Sequence, residues 1–294
     1  MVSNLTPSNQ QFLDGLARIS ERMERAQKQV STGVRFAQVS DNPDQVSALL
    51  EARAGLDTSQ QVLTNLGRVK NEVDAGEQAL QSAVQLFDQI QTLGAQGATG
   101  TETAAARADL AQQVDSVLQQ MIALSGTSAE GRFIFSGDSD HQAPYTAALT
   151  YLGSASTRMI QHPNGTTFAV AKTAQEIFDA ADPTQNVFGS ITALRTALLN
   201  NDETAIQTVV DGLPKVGQYL NSELAFYGTT QNVVAAATDF AHTQQLQLQN
   251  QISGLEDTDV SSAILELTQT QTQEQAALTS RAQMPRTTLF NFLA

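Results

Sequence analysis

Few side chains of this sequence could do acid–base, nucleophilic or metal-binding chemistry. The 294 residues include three histidines and no cysteine. His141, His162 and His242 lie far apart along the chain. A chain without cysteine forms no disulfide, offers no thiolate nucleophile and binds no metal through sulfur. Any metal site would therefore depend on these few histidines and on carboxylates.

One short loop, residues 137–141 (Gly-Asp-Ser-Asp-His), combines carboxylates with an imidazole. A calcium-binding EF-hand loop needs a longer series of acidic ligands and a closing glutamate, and both are absent here. We therefore predict a solvated loop. Asp257 and Asp259 are explained more simply as residues at the start of a helix, where carboxylates favour the positive end of the helix dipole.

The remaining candidates for a site are weak. Arg132 lies beside the aromatic residues Phe133 and Phe135 and could stack or bind an anion, but packing inside the fold is the simpler interpretation. His162 falls in a predicted turn and His242 on a polar helix face. The sequence lacks the G-x-S-x-G, H-E-x-x-H and G-x-x-x-x-G-K-[ST] patterns. We therefore predict no catalytic residue, no metal and no cofactor, and hence no enzyme.

The composition argues against further classes of protein. The chain carries 16 Lys and Arg against 30 Asp and Glu, a formal net charge of −14, whereas nucleic-acid binding needs clustered basic residues. No apolar run reaches the roughly 18 residues of a membrane span. The first residues lack the basic and apolar regions of a secretory signal peptide, so we expect any export to use another route. The hydrophobic share of 41% favours a packed core.

Proline placement divides the chain into helical flanks and a middle segment. Three of the seven prolines fall within residues 144–183, and residues 44–143 and 215–284 contain none. The flanks therefore permit long helices. In the middle, residues 148–152, 157–161 and 166–171 read as short strands, and a turn at residues 163–165 predicts a hairpin.

The first predicted helix runs from about Thr6 to Ser31 and ends before Gly33. Its apolar residues recur at intervals of three and four, the a/d pattern of a coiled coil, which specifies a narrow seam against a partner helix. These residues are Leu5, Phe12, Leu16, Ile19, Met23, Ala26 and Val30.

A second, long helix is predicted to begin at Pro43, after capping residues Asp41 and Asn42. Its leucines repeat every seven residues up to Leu63, and after a phase shift near Gly67 the repeat resumes at Val73. A third helix covers residues 102–124. A further helix is predicted for residues 187–210, and Pro214 is predicted to interrupt the helical pattern after it. The last helix is predicted to run from Leu220 to the end, with a kink or new cap at residues 257–259.

The two ends of the chain carry opposite charges. Residues 18–35 hold five basic residues, and residues 233–280 hold six acidic residues and no basic one. Since both ends also carry apolar seams, we predict that the terminal helices run side by side. The alternative is two faces that are solvated independently.

Several motifs resemble the bacterial flagellin superfamily. Residues 30–35 (V-S-T-G-V-R) and 40–43 (S-D-N-P) are similar to its N-terminal [LV]-S-[ST]-G-x-R and S-D-D-P segments. Residues 131–137 (G-R-F-I-F-S-G) resemble the G-R-Y-L-F-S-G motif of the hook–filament junction branch, hook-associated protein 3. Residues 151–178 resemble the small β domain of that branch, and residues 257–260 and 289–293 resemble the C-terminal helix of the family. By contrast, residues 282–285 (A-Q-M-P) are more similar to the ending of flagellin itself.

The resemblance implies a mainly α fold, in which the N- and C-terminal halves form a long antiparallel coiled-coil bundle with a small inserted β domain. It implies three layers. The terminal helical layer, D0, would comprise residues 1–40 and 256–294, and the coiled-coil domain, D1, residues 41–135 and 187–255. The β-rich domain, D2, would comprise residues 136–186.

The resemblance also implies a function. The chain would be a structural subunit of the extracellular bacterial flagellum, exported through the flagellar type III channel without a cleaved signal peptide. It would link the hook to the filament, with a hook-associated protein on the hook side and flagellin on the filament side. An export chaperone would shield its C-terminal helix, and neither nucleic acid nor membrane insertion is implied.

The assembly mechanism follows from the seams. One partner helix covers only part of a heptad stripe, and isolated helices in water are marginal. We expect residues 1–35 and 256–294 to be poorly ordered in the monomer and to fold against neighbouring copies. The predicted assembly residues are Leu5, Phe12, Leu16, Ile19, Met23, Val30, Ile252, Leu255, Val260, Ile264, Leu267, Leu278, Leu289 and Phe292.

Two other functions stay open at this point. A filament flagellin would share the same terminal helices and would form long filaments by itself. A secreted helical adhesin or binding protein would instead use residues 138–186 as its binding face and would not need its terminal helices for binding.

Overall fold

The computed structural model describes residues 7–35 and 43–283. Seven helices and four short strands follow one another along this part of the chain. The helices are α1 (Pro7–Thr32), α2 (Pro43–Gly97), α3 (Ala104–Ser125), α4 (Ala174–Phe178), α5 (Val187–Leu199), α6 (Glu203–Glu256) and α7 (Val260–Ala282). The strands are β1 (Ser128–Ala129), β2 (Arg132–Phe133), β3 (Met159–Gln161) and β4 (Thr167–Ala169).

The described chain is mainly helical, and its strands form two antiparallel pairs, which confirms the predicted fold class. In the first pair Ser128 is opposite Phe133, and in the second Ile160 is opposite Phe168. The predicted turn at residues 163–165 connects β3 and β4. Gly165 adopts a φ of +93° there, a conformation that glycine reaches without strain.

Two compact units divide the chain. The smaller unit takes in the residues up to Ser59 and those from Gln244 onward, and the larger unit is Gln60–Thr243. The division into D0, D1 and D2 layers stays a prediction.

In the larger unit, α2 and α6 pack antiparallel as a coiled coil. The Tyr227 ring lies so close to Gly76 that any side chain there would meet it. A side chain at Gly217 would meet the Gln91 amide and contact the Phe87 ring. Buried residues of α6 repeat every seven positions, as a coiled-coil seam requires. They are Ile206, Leu213, Leu220, Tyr227, Val234 and Ala241.

The predicted phase shift near Gly67 was wrong. A single buried row runs along α2 without interruption, and every member lies seven residues from the next: Ala52, Ser59, Leu66, Val73, Leu80 and Phe87. The leucines at 49, 56 and 63 flank this row and are only half-buried. The prediction failed because it followed large apolar residues, whereas alanine and serine occupy the buried positions at the start of the row.

Pro214 does not interrupt α6, contrary to the sequence prediction. The helix continues from Glu203 to Glu256, and Pro214 is exposed on its outer face. Leu213 and Val216 on either side are buried in the core, so tertiary packing holds the helix through the missing backbone donor. The chain breaks earlier instead, between α5 and α6, where Asn201 has a φ of +52°.

The middle segment shares the core of the helices in the larger unit. The Phe135 ring packs edge-to-face against Phe178 at 6.2 Å and against Tyr227 of α6 at 6.1 Å. Residues 148–152, predicted as a strand, contribute only an isolated bridge between Tyr151 and Tyr145. The short helix α4 was not predicted, although Thr173 and Glu176 form a complete capping box at its start.

Two buried charged contacts fix the larger unit further. Lys172 Nζ lies 2.6 Å from a Glu223 carboxylate oxygen, and Glu223 occupies a core position of α6. The Arg107 side chain is 1% exposed and lies where α2 ends and α6 begins. It donates to the carbonyl oxygens of Gly97 and Thr99 at 3.1 Å each and to Glu203 at 2.8 Å.

Candidate assembly surface

In the smaller unit, α1 and α7 pack side by side, as the charge pattern of the sequence predicted, and they run antiparallel. Arg22 Nε donates to Glu266 Oε1 at 2.8 Å near the middle of the pair. At the start of α1, the Arg281 guanidinium lies over the Phe12 ring, 5.5 Å from its centroid. Arg22 and Glu266 are both partly exposed, so this ion pair sets the register more than it adds stability.

A short backbone junction joins the end of α1 to the turn between α6 and α7. The amide of Arg35 donates to the Glu256 carbonyl at 2.6 Å, and the amide of Thr258 donates to the Gly33 carbonyl at 2.9 Å. Arg53 contacts the Glu256 carboxylate at 2.6 Å. The junction therefore holds the first turn of α7 beside the last turn of α1.

Asp259 caps α7, which confirms the predicted new helix start at residues 257–259. Its carboxylate accepts from the amides of Ser261 and Ser262 and from the Ser262 hydroxyl. These hydrogen bonds, those from Ser262 above all, lower the pKa of the Asp259 carboxyl below its usual value. The cap is therefore fully formed at neutral pH.

The contact between α1 and α7 buries small residues. Ala26 in α1 and Ala263 and Thr270 in α7 are the fully buried residues of the two helices as far as the structure describes them. The larger seam residues stay half-buried: Phe12, Leu16, Ile19, Met23, Val30 and Leu267. One partner helix therefore covers only part of the apolar stripe.

Exposed apolar residues gather on one flank of the pair. Val260, Ile264 and Leu278 of α7 are 43%, 47% and 49% exposed, and Leu13 of α1 is 48% exposed. At about 100° per residue, these side chains lie on the flank opposite the Arg22–Glu266 ion pair. We call Leu13, Leu16, Val260, Ile264 and Leu278 the apolar flank. The pair thus has one apolar flank and one charged, polar flank.

The predicted assembly residues fall into three groups. Eight are half-buried in the smaller unit: the six seam residues of α1 and α7 together with Ile252 and Leu255 of α6. Val260, Ile264 and Leu278 are exposed. Leu5, Leu289 and Phe292 lie outside the described residues, as do the predicted cap residues Asp41 and Asn42.

Four exposed leucines of the smaller unit were not predicted. They are Leu13, Leu50, Leu246 and Leu265, each at least 48% exposed. Leu13 and Leu265 are neighbours of the heptad positions Phe12 and Ile264, and a helical wheel drawn for the flanks as well as the seam would have found them.

The candidate polar sites have ordinary structural roles. His141 is 91% exposed, and Asp140 pairs with Arg132 at 2.5 Å. Within residues 7–35 and 43–283, histidine and acidic side chains form no cluster of three that could hold a metal ion. Among the described helices, none is long and apolar enough to cross a bilayer.

The sequence matches two models of one protein family. Residues 2–140 match the N-terminal helical region of bacterial flagellin, and residues 212–293 match its C-terminal helical region. Together the two matches cover most of the chain and leave out residues 141–211. A comparison with curated proteins found no match.

Solved structures share the fold. A protein from Vibrio parahaemolyticus, described as a flagellar hook-associated protein, matches with a TM-score of 0.65 at 19% identity, over 74% of this chain and 100% of its own. Bacillus cereus FlgL matches with a TM-score of 0.57 at 19% identity, over 70% and 100%. Xanthomonas campestris FlgL matches with a TM-score of 0.60 at 14% identity, over 69% and 99%. At sequence identities of 19% or less, these matches show a shared fold only.

Proposed function

The chain belongs to the bacterial flagellin family, and from this premise we propose that it is a structural subunit joining the flagellar hook to the filament. The apolar flank of the α1–α7 pair is the observation that carries the proposal. Large apolar side chains left 43–49% exposed on two packed helices are suited to burial against another helix. Each such side chain removed from water contributes roughly 1.5–3 kcal/mol at full burial.

In this proposal the terminal helices of neighbouring copies pack against one another and form the D0 layer. The coiled coil of α2 and α6 belongs to D1, and residues 136–186 belong to D2. A heterologous contact repeated between identical subunits closes a ring or builds a tube, which is the geometry that a layer on the hook requires.

The neighbours in this layer would be a hook-associated protein on the hook side and flagellin on the filament side. The choice of the junction rests on the G-R-F-I-F-S-G motif at residues 131–137 and on the fold shared with FlgL structures. An export chaperone would cover α7 before assembly, since its exposed apolar residues would otherwise promote aggregation. Export would use the flagellar type III route to the extracellular flagellum.

Decoration of isolated hooks tests this function. Purified chain added to hook fragments, with and without the hook-side hook-associated protein, should bind only at their distal ends in negative-stain images. A solution of monomers that binds neither preparation would contradict the proposal.

A filament flagellin is the second candidate, because the two matching models describe the terminal regions of flagellin itself. This function predicts long filaments from the pure chain after seeding, and a deletion strain with intact hooks but no filament. Short layers confined to the hook tip would favour the junction subunit.

A further inference from the structure

A cleft of about 560 Å³ in the larger unit is bordered by the edge of a strand. One wall is a face of α2, where Val62 is half-buried and Leu66 and Val69 lie buried beneath the surface. The opposite wall is strand β3, where the Met159 side chain is 55% exposed. The junction proposal does not use this surface.

The outer edge of β3 carries backbone groups that the β3–β4 ladder does not use. The amide of Val170 donates to the Arg158 carbonyl at 3.1 Å, and the amide of His162 donates to the Thr166 carbonyl at 2.6 Å. In an antiparallel ladder, bonded and non-bonded positions alternate along the strand. The backbone groups of Met159 and Gln161 therefore point away from β4, and both residues line the cleft.

Arg68 places a guanidinium in the cleft that has only one distant ion-pair partner within the described chain. Its side chain is 61% exposed, and within the described chain the one carboxylate inside 4 Å is that of Glu130, at 3.9 Å. The other two arginines of the cleft are paired closely, Arg158 with Glu72 at 2.6 Å and Arg132 with Asp140 at 2.5 Å. A carboxylate brought by a ligand would therefore meet Arg68.

We propose that this cleft binds an extended peptide segment of a partner protein, which adds a strand to β3 and places a carboxylate against Arg68. Strand addition to an exposed edge uses backbone hydrogen bonds for affinity and side-chain pockets for specificity. Here the outward groups of Met159 and Gln161 supply the backbone bonds. The half-buried Val62 and the exposed Met159 contact apolar side chains of the segment, and Arg68 supplies the charge that selects an acidic residue.

Labelled peptides test the proposal on the full chain. The probe is a short peptide that alternates valine and threonine around a central glutamate, and fluorescence anisotropy measures its binding. We expect saturable binding, weakened about tenfold when lysine replaces the glutamate, since one charge-assisted contact is lost. A second control carries N-methyl groups on alternate backbone nitrogens, which blocks strand pairing while the side chains stay the same.

Two substitutions locate the site. Met159→Pro removes an outward-pointing amide that the β3–β4 ladder does not use, and we expect it to abolish binding while Met159→Leu keeps it. Arg68→Glu should weaken binding of the glutamate peptide and strengthen binding of the lysine peptide. Arg195→Glu, at a partly exposed arginine of α5 that does not line the cleft, is the matched charge control and should change neither.

Three results would overturn the inference. The first is no saturable binding of the glutamate peptide to the wild-type chain. The second is equal binding of the N-methylated peptide, which would exclude strand addition even if Met159→Pro fails to fold. The third is an Arg68→Glu variant that binds both peptides as the wild type does.

Discussion

Single residues on the two flanks of the α1–α7 pair separate assembly from folding. Ile264 is 47% exposed on the apolar flank, so Ile264→Asp should leave the monomer folded and block assembly on hooks. Gln269, also exposed on α7 but away from this flank, provides the matched control, and Gln269→Asp should assemble normally. Circular dichroism and hook decoration measure the two properties. Normal assembly of Ile264→Asp would show that the apolar flank stays free in the polymer.

Arg107 is a structural residue of the larger unit. Arg107→Met would leave the carbonyl of buried Gly97 without this donor, at about 1–3 kcal/mol, and would also remove the guanidinium's hydrogen bonds to Asn201 and Glu203. We expect urea unfolding to show a loss of at least about 2 kcal/mol. Arg195→Met, which removes an arginine paired at the surface, should cost less than about 1 kcal/mol. Equal losses would contradict the role given to the buried network.

Tyrosine ionisation predicts alkaline sensitivity. Burial, and then the neighbouring Glu223, raise the pKa of Tyr219 to about 12. Since the folded value exceeds the unfolded value near 10, this group's stabilising contribution is complete below pH 10 and is lost as the pH rises towards 12. In the Tyr219→Phe variant, the free energy of unfolding should therefore fall less steeply between pH 10 and 12, as measured by urea titrations at each pH. An unchanged slope would show that Tyr219 does not contribute.

At the scale of the elements, Pro214 removes one backbone hydrogen-bond donor from α6, and the helix continues through it. Proline in a helix interior costs about 3 kcal/mol relative to alanine. The residue is exposed, so replacement should disturb no core contact. Pro214→Ala should raise the free energy of unfolding, measured by urea titration. A drop in stability would indicate that a bend at this position is needed for core packing.

The elements also show what the sequence could predict. Long helices, the 163–165 hairpin turn and the pairing of the terminal helices followed from periodicity, turn chemistry and charge. The unbroken buried row of α2 could not be predicted, because the small or polar side chains of Ala52 and Ser59 are buried only against a partner helix. The exposed Leu13 and Leu265 escaped for a similar reason, since a seam pattern counts the residues on the seam and omits those beside it.

At the scale of the whole molecule, the middle segment is part of the larger unit's core. Val170, Ile177 and Phe178 are at most 2% exposed. Deleting residues 140–182 should therefore destabilise the larger unit, since losing a single large core side chain already costs several kcal/mol, on the order of 2–5. A shorter deletion confined to the turn at residues 163–165 should spare it. Thermal unfolding compares the two, and equal midpoints would show that the segment is a separate decoration.

The central claim is that the apolar flank of the terminal helices is satisfied by neighbouring copies. Hydrogen exchange of α1 and α7 amides, compared between dilute monomer and hook-bound protein, tests it most directly. We predict rapid exchange in the monomer and strong protection after assembly, with little change in the core rows of α2 and α6 within the larger unit. Full protection of α1 and α7 in the solitary monomer would contradict the account.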